Sequence, residues 1–176
     1  YEGTNGIQAM DLLGRKLRMD GGASFAILLS EIDRVVAQGR QLASAKGLAE
    51  RVAGAARRLV EVAELLVERS ASKDFKTAFA YAHPFLTIMG DVIMSWMHLW
   101  RAVVSIPKLE KLIAKAGHDD LPKLIAKSKD AAFYDGQIKT AGYYIDTVLP
   151  VTLGRMETIV DGNSAVVTID EKSFGG

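Results

Sequence analysis

Apolar side chains recur at three- and four-residue spacing along almost the whole chain, the period of a helix with one buried face, and no βαβ alternation competes with it. Ile7, Met10, Leu13 and Leu17 open the pattern, and Asp20-Gly21-Gly22 interrupts it. A second stripe comes next in Phe25, Leu28, Leu29, Ile32, Val35, Val36 and Leu42, with Glu31, Arg34 and Arg40 off it. From Leu48 to Arg69, Leu59, Val62, Ala63, Leu66 and Val67 share one face, while Arg57, Glu61, Glu64 and Glu68 share the other, with Arg57 and Glu61 spaced to pair. Ser70 to Lys73 reads as a turn, with Asp74 placed to cap the next helix.

The fourth segment, Phe75 to Val104, is the most apolar, and Pro84 is expected to kink or restart it. Pro107 and Pro122 bracket a basic stretch in which KLIAK occurs twice, read as two short helical turns around His118-Asp119-Asp120. A last long helix is expected from Asp130 to Val160, bent at Pro150 and stopped by Asp161-Gly162-Asn163. The tail, Ala165 to Ile169, is either a strap across the helices or frayed. Each stripe must be buried against another, and short turns force antiparallel neighbours. The expectation is all-α: an up-and-down bundle of four to five long helices with a short irregular C-terminal tail.

Composition narrows the function classes. With 22 Lys+Arg against 21 Asp+Glu, the net charge of +1 gives no field to draw the 176-residue chain onto nucleic acid. The absence of cysteine excludes disulfide scaffolds, thiolate metal sites and Cys nucleophiles, and suits a cytoplasmic location. No targeting segment is visible, and a chain that opens on YEGTNG without Met reads as part of something longer.

Phe85 to Val104 has the length of a membrane span, but a central Asp91 alone costs about 2.5–3.5 kcal/mol on insertion scales, which favours a core helix. Asp91 is expected to pair with Arg or Lys on a facing helix or to reach solvent. Trp96 and Trp100 at i,i+4 read as packing or a subunit contact. His83, His98 and His118 lack ligand spacing, so no metal is expected. The basic stretch Lys108 to Lys129 is read as a solvated face, with contact to a membrane surface or an anionic ligand the less favoured reading.

The opening carries more specific information. Tyr1-Glu2-Gly3-Thr4-Asn5-Gly6-Ile7-Gln8, then Leu12-Leu13-Gly14-Arg15-Lys16-Leu17, resembles the C-terminal signature of the acyl-CoA dehydrogenases, flavoproteins that oxidise acyl-CoA thioesters to 2-enoyl-CoA. The remainder, on Gly90-Asp91 through Trp96 and Phe133-Tyr134 through Leu149-Pro150, is similar to the extra helical domain of the branch that includes 3-(methylthio)propanoyl-CoA dehydrogenases. The resemblance implies that residues 1–20 end the catalytic domain, 21–163 form an appended helical bundle and 164–176 a tail.

It implies further that Glu2 is the catalytic base, that Gly3 lies against the acyl-CoA, and that Thr4 contacts FAD. Gly6 stands where many relatives carry Glu or Gln, so the resemblance implies that a side-chain contact to flavin there is lost or replaced by backbone. The implied partners are the acyl-CoA substrate, an electron-transfer acceptor and other copies of the chain in a homo-oligomer. FAD belongs to the longer parent and is not expected on this chain alone, which would be inactive by itself. The competing expectation is a non-catalytic helical module for dimerisation or membrane-surface docking.

Overall fold

A computed structural model describes residues 3–117 and 120–175. Its elements are α1 (Asn5–Gly14), a 3-10 segment (Lys16–Gly22), α2 (Ala23–Arg40), α3 (Lys46–Ser70), α4 (Phe75–Ala80), α5 (Ala82–Ala116), α6 (Leu121–Lys127), α7 (Lys129–Asp161), α8 (Ala165–Thr168) and a final 3-10 turn (Glu171–Phe174). No strand occurs among the described residues. Four long helices, α2, α3, α5 and α7, make an up-and-down bundle, and α5 against α7 is its most extensive contact. Asp91 on α5 reaches Thr152 and Arg155 on α7, while Lys108 reaches Tyr134, so these two helices run antiparallel. In contrast, α3 runs parallel to α7, joined by Arg51 to Asp146, Arg58 to Glu157, and Arg69 to the carbonyls of Ile159 and Val160.

The core follows the stripes. Ile32 and Val35 of α2, Leu59, Val62 and Leu66 of α3, Phe85, Ile88, Val92 and Leu99 of α5, and Ile145, Met156 and Ile159 of α7 are fully buried in one cluster. Each such side chain contributes about 1.5–3 kcal/mol by leaving water. Small residues set the helix spacing: Gly39 faces Ala49 so closely that a Cβ on it would lie 3.0 Å from the Ala49 Cβ.

Several local expectations are corrected. In α1 the buried residues are Ala9, Leu12 and Leu13, with Leu17 just beyond the helix, whereas Ile7 and Met10 are 65% and 56% exposed. The true inward stripe is therefore turned away from the expected one. Asp74 occupies the N-cap position of α4 without a side-chain capping bond, and its backbone N–H donates to the Ser72 hydroxyl instead. Glu61 bonds Arg58 rather than Arg57, because i,i+3 is also a neighbour on a helix surface and Arg58 lies closer to Glu157 of α7.

Pro107 does not end a helix: α5 runs through it to Ala116. The lost N–H is outweighed by packing, since Ile106 on one side and Leu109 on the other are buried, with Ala102 and Ile106 joining Ala45 and Ala141 in a second small cluster. The first KLIAK copy is thus the end of a long helix, and only the second, within α6, is a short one, capped by Asp120 accepting from the Lys123 N–H. Pro84 falls in the first turn of α5, where its missing N–H costs no bond, so the helix restarts there as expected.

Both stop signals hold. Asp20, Gly21 and Gly22 all take left-handed φ, and Gly162 ends α7 at φ 62°. Ala165 to Thr168 form one helical turn against α4 despite their β-branched run, with Tyr81 donating to the Asn163 carbonyl to hold the approach. No helix among the described residues is long and apolar enough to cross a membrane.

Candidate functional site

Gly3 and Thr4 of the motif sit at the exposed N-terminal end of α1, and the inner face of that helix fixes its place. Leu13 is fully buried, Leu12 and Leu17 nearly so, and α1 lies against α5. Outside, Asp11 accepts from the Arg15 guanidinium at 2.7 and 2.8 Å and pairs with Lys16 at 3.3 Å. The hydrogen bonds from Arg15, the largest influence, hold the Asp11 carboxyl below its usual range.

Glu2 lies outside the described residues. Gly3 is exposed in a turn, and a Cβ built on it would meet nothing within 4 Å. Thr4 is the N-cap residue of α1: its carbonyl accepts from the Gln8 N–H at 2.8 Å, but its hydroxyl makes no capping bond. Among the described residues, nothing bonds the Thr4 hydroxyl or crowds position 3. Both face outward, away from the bundle core.

Two further constellations lie along the α5–α7 seam. Asp91, whose side chain is 19% exposed, accepts from the Thr152 hydroxyl at 2.9 Å and pairs with Arg155 at 3.4 Å, the facing-helix partner its sequence position called for. About two turns further along the seam, the His98 ring packs on Tyr144 at 4.6 Å between centroids. Burial first, and the Arg101 charge second, lower the His98 pKa; burial and then the Asp91 charge raise that of Tyr144. No group of three His, Asp or Glu side chains that could hold a metal ion occurs among the described residues.

Further along α5 an open groove of about 300 Å³ lies between Met97, Trp100, Arg101, Val104 and Lys108 of α5 and Phe133 and Tyr134 of α7. Trp100 stacks on Trp96 at 5.9 Å and carries the Arg34 guanidinium 5.3 Å from its ring centre. Lys108 stands 5.4 Å over Tyr134, whose other contact is the edge of Phe133. The tryptophan pair packs as its i,i+4 spacing suggested, but the groove beside it was not visible in the sequence, because its two walls lie some thirty residues apart and meet only when α5 and α7 pair.

The class that the fold defines is an all-α bundle preceded by a short helix, α1, that packs on it. Residues 28–170 match the family described as acetyl-CoA dehydrogenase C-terminal like, and the chain belongs to that family. Over 171 residues, 96% of the chain, it is 30% identical to a 3-methylmercaptopropionyl-CoA dehydrogenase of Ruegeria pomeroyi, of which it covers 26%. It is 26% identical over 99% of its length to a broad-specificity linear acyl-CoA dehydrogenase of Mycobacterium tuberculosis, covering 27% of that protein. A butyryl-CoA dehydrogenase of Syntrophomonas wolfei shares 24% identity over 99% of the chain and 26% of its own length. The chain thus spans about a quarter of the relatives it matches.

Proposed function

We propose that the chain is the C-terminal portion of an FAD-dependent acyl-CoA dehydrogenase of the cytoplasm, converting acyl-CoA thioesters to 2-enoyl-CoA, with residues 1–20 completing the catalytic domain, 21–163 the appended bundle and 164–176 its tail. The observation that carries this reading is the similarity of nearly the full chain to three proteins that are each named acyl-CoA dehydrogenases.

Glu2 is the base in this reading. A thioester α-proton is weakly acidic, so its removal needs a carboxylate within hydrogen-bond reach, poised by an apolar, closed site. The proton moves from the α-carbon to the Glu2 carboxylate while the β-carbon gives up hydride, leaving a carbon–carbon double bond. Bound FAD supplies the hydride acceptor that no side chain can provide. The outward Thr4 hydroxyl, unspent on capping, fits a contact to that cofactor, and the open surroundings of Gly3 fit close approach of the thioester. Electrons then pass to a transfer acceptor, and the enzyme works as a homo-oligomer. The bundle anchors α1, which begins just after Thr4, through Leu12, Leu13 and Leu17.

The test is made on the full-length parent. It should purify yellow and reduce an electron-transfer dye with an acyl-CoA, whereas Glu2→Gln should retain flavin absorbance and lose turnover. Normal turnover by the Gln variant removes Glu2 from the role, and a colourless, flavin-free parent removes the reading.

A further inference from the structure

The groove between α5 and α7 has a lining that neither the core nor the dehydrogenase reading uses. Met97 and Val104 are 39% and 43% exposed and Phe133 is 59% exposed, so an apolar wall stands open to water along α5 and α7. Single exposed apolar residues are ordinary, but these converge on one concavity. Its volume, about 300 Å³, lies at the small end of ligand pockets. Two cations stand at its rim, Arg101 and Lys108, and no carboxylate is among the lining residues. Neither makes an ion pair among the described residues, unlike Arg15 and Lys16 beside the concavity near α1, which both hold Asp11. Lys108 is held over the Tyr134 ring, so its ammonium is positioned before any ligand arrives.

Apolar walls with unneutralised positive charge at one edge suit an anionic amphiphile. The shape of the apolar part follows from the rings. A flat base or nucleotide is held best between two aromatic faces, yet Trp100 is already stacked on Trp96 and approached by Arg34, and Tyr134 carries Lys108, which leaves Phe133 as the one lining ring with an open face. The sides left open are aliphatic, Met97 and Val104, with the ring of Phe133 opposite. An alkyl chain asks of such walls only contact and exclusion of water.

We propose that this groove is a binding site for a medium-length alkyl chain ending in a carboxylate, the chain lying along Met97, Val104 and Phe133 and the carboxylate meeting Arg101 and Lys108. The site shares no residue with Gly3 or Thr4, and the proposal does not rest on the dehydrogenase reading: binding by this chain stands or falls whether or not the parent turns over.

Trp96 and Trp100 are the only tryptophans, so the groove carries its own reporter. Hexanoate, octanoate and decanoate are titrated below their micelle concentrations, with tryptophan fluorescence and calorimetry as independent readouts. Affinity should tighten about fourfold per added methylene while the chain still finds wall to cover, since each buried methylene contributes about 0.8 kcal/mol. Decyltrimethylammonium, with the opposite charge, should bind at least tenfold more weakly than decanoate. Val104→Asp, at a position 43% exposed and outside both buried clusters, should weaken decanoate at least tenfold. Arg101→Gln combined with Lys108→Gln should weaken decanoate about tenfold while changing decanol affinity less than twofold. Absence of saturable binding overturns the proposal, as does equal binding of the cationic amphiphile, or unchanged decanoate affinity in Val104→Asp with the helical circular dichroism intact.

Discussion

Gly39→Ala gives a sharp test of how closely the bundle is packed. Inside a helix, replacing Gly by Ala ordinarily stabilises by about 1 kcal/mol, because alanine loses less backbone entropy on folding. At position 39 the added methyl would stand 3.0 Å from the Ala49 Cβ, 3.3 Å from Leu99 Cδ1 and 3.6 Å from Val103 Cγ2. The leucine can turn aside, but the Ala49 Cβ is fixed to the α3 backbone, so α2 and α3 must separate at their closest approach. Overpacking of this kind costs about 1–3 kcal/mol. Set against the propensity gain, the net expectation is a loss of about 1 kcal/mol.

The internal control is Gly54→Ala on α3, whose new methyl meets only the tip of Arg57 at 3.9 Å and should therefore stabilise by about 0.5–1 kcal/mol. The assay is urea unfolding followed by helical circular dichroism. With a urea m-value of about 2 kcal/mol/M, the two variants should shift the midpoint by about 0.5 M in opposite directions. Adding Ala49→Gly to Gly39→Ala should recover part of the packing loss beyond the sum of the single changes. If Gly39→Ala alone is as stable as the parent chain, the close-contact reasoning is refuted.

Arg69→Leu should destabilise by about 2 kcal/mol in thermal unfolding, because the guanidinium donates to the Ile159 and Val160 carbonyls at 3.1 and 3.0 Å and sits at the negative end of α7; an unchanged midpoint would contradict it. The lowered pKa of His98 sets a pH dependence. The folded state resists the proton that the unfolded chain accepts near its ordinary value of about 6.5, so stability is full above that pH and declines as pH falls from there toward the folded pKa. His98→Phe should flatten the urea midpoint between about pH 7 and 5.5, and a slope as steep as in the parent chain would assign the effect to another group.

The helical period of α2, α3 and α7 was legible because many side chains vote on each stripe, and an error at one position is outvoted. In α1 only four residues voted, and two of them, Ile7 and Met10, face outward. Pro107 misled for a different reason: proline's cost is local and visible in sequence, while the burial of Ile106 and Leu109 that outweighs it is tertiary. Asp91 could be assigned a cationic partner by its isolation among apolar neighbours, but not that the partner would be Arg155 or that Thr152 would share it. Gly3 and Thr4 were marked by family resemblance alone, since nothing in periodicity or charge distinguishes them. Of the groove, the sequence marked only Lys108, as the start of a basic stretch that an anionic ligand could meet; Arg101 and the apolar walls were not marked, because they meet only when a facing helix supplies the other side.

The antiparallel pair α5 and α7 has a mechanical consequence. Helices of 35 and 33 residues, each continuous through an internal proline, have contour lengths of about 50 Å. Because α1 leans on one part of α5 and the groove lies further along the same α5–α7 pair, the two are joined by one continuous helix pairing. Anything that clamps or pries apart one end should be felt as a tilt at the other, so that hydrogen exchange in α1 provides a remote gauge of occupancy along the pair.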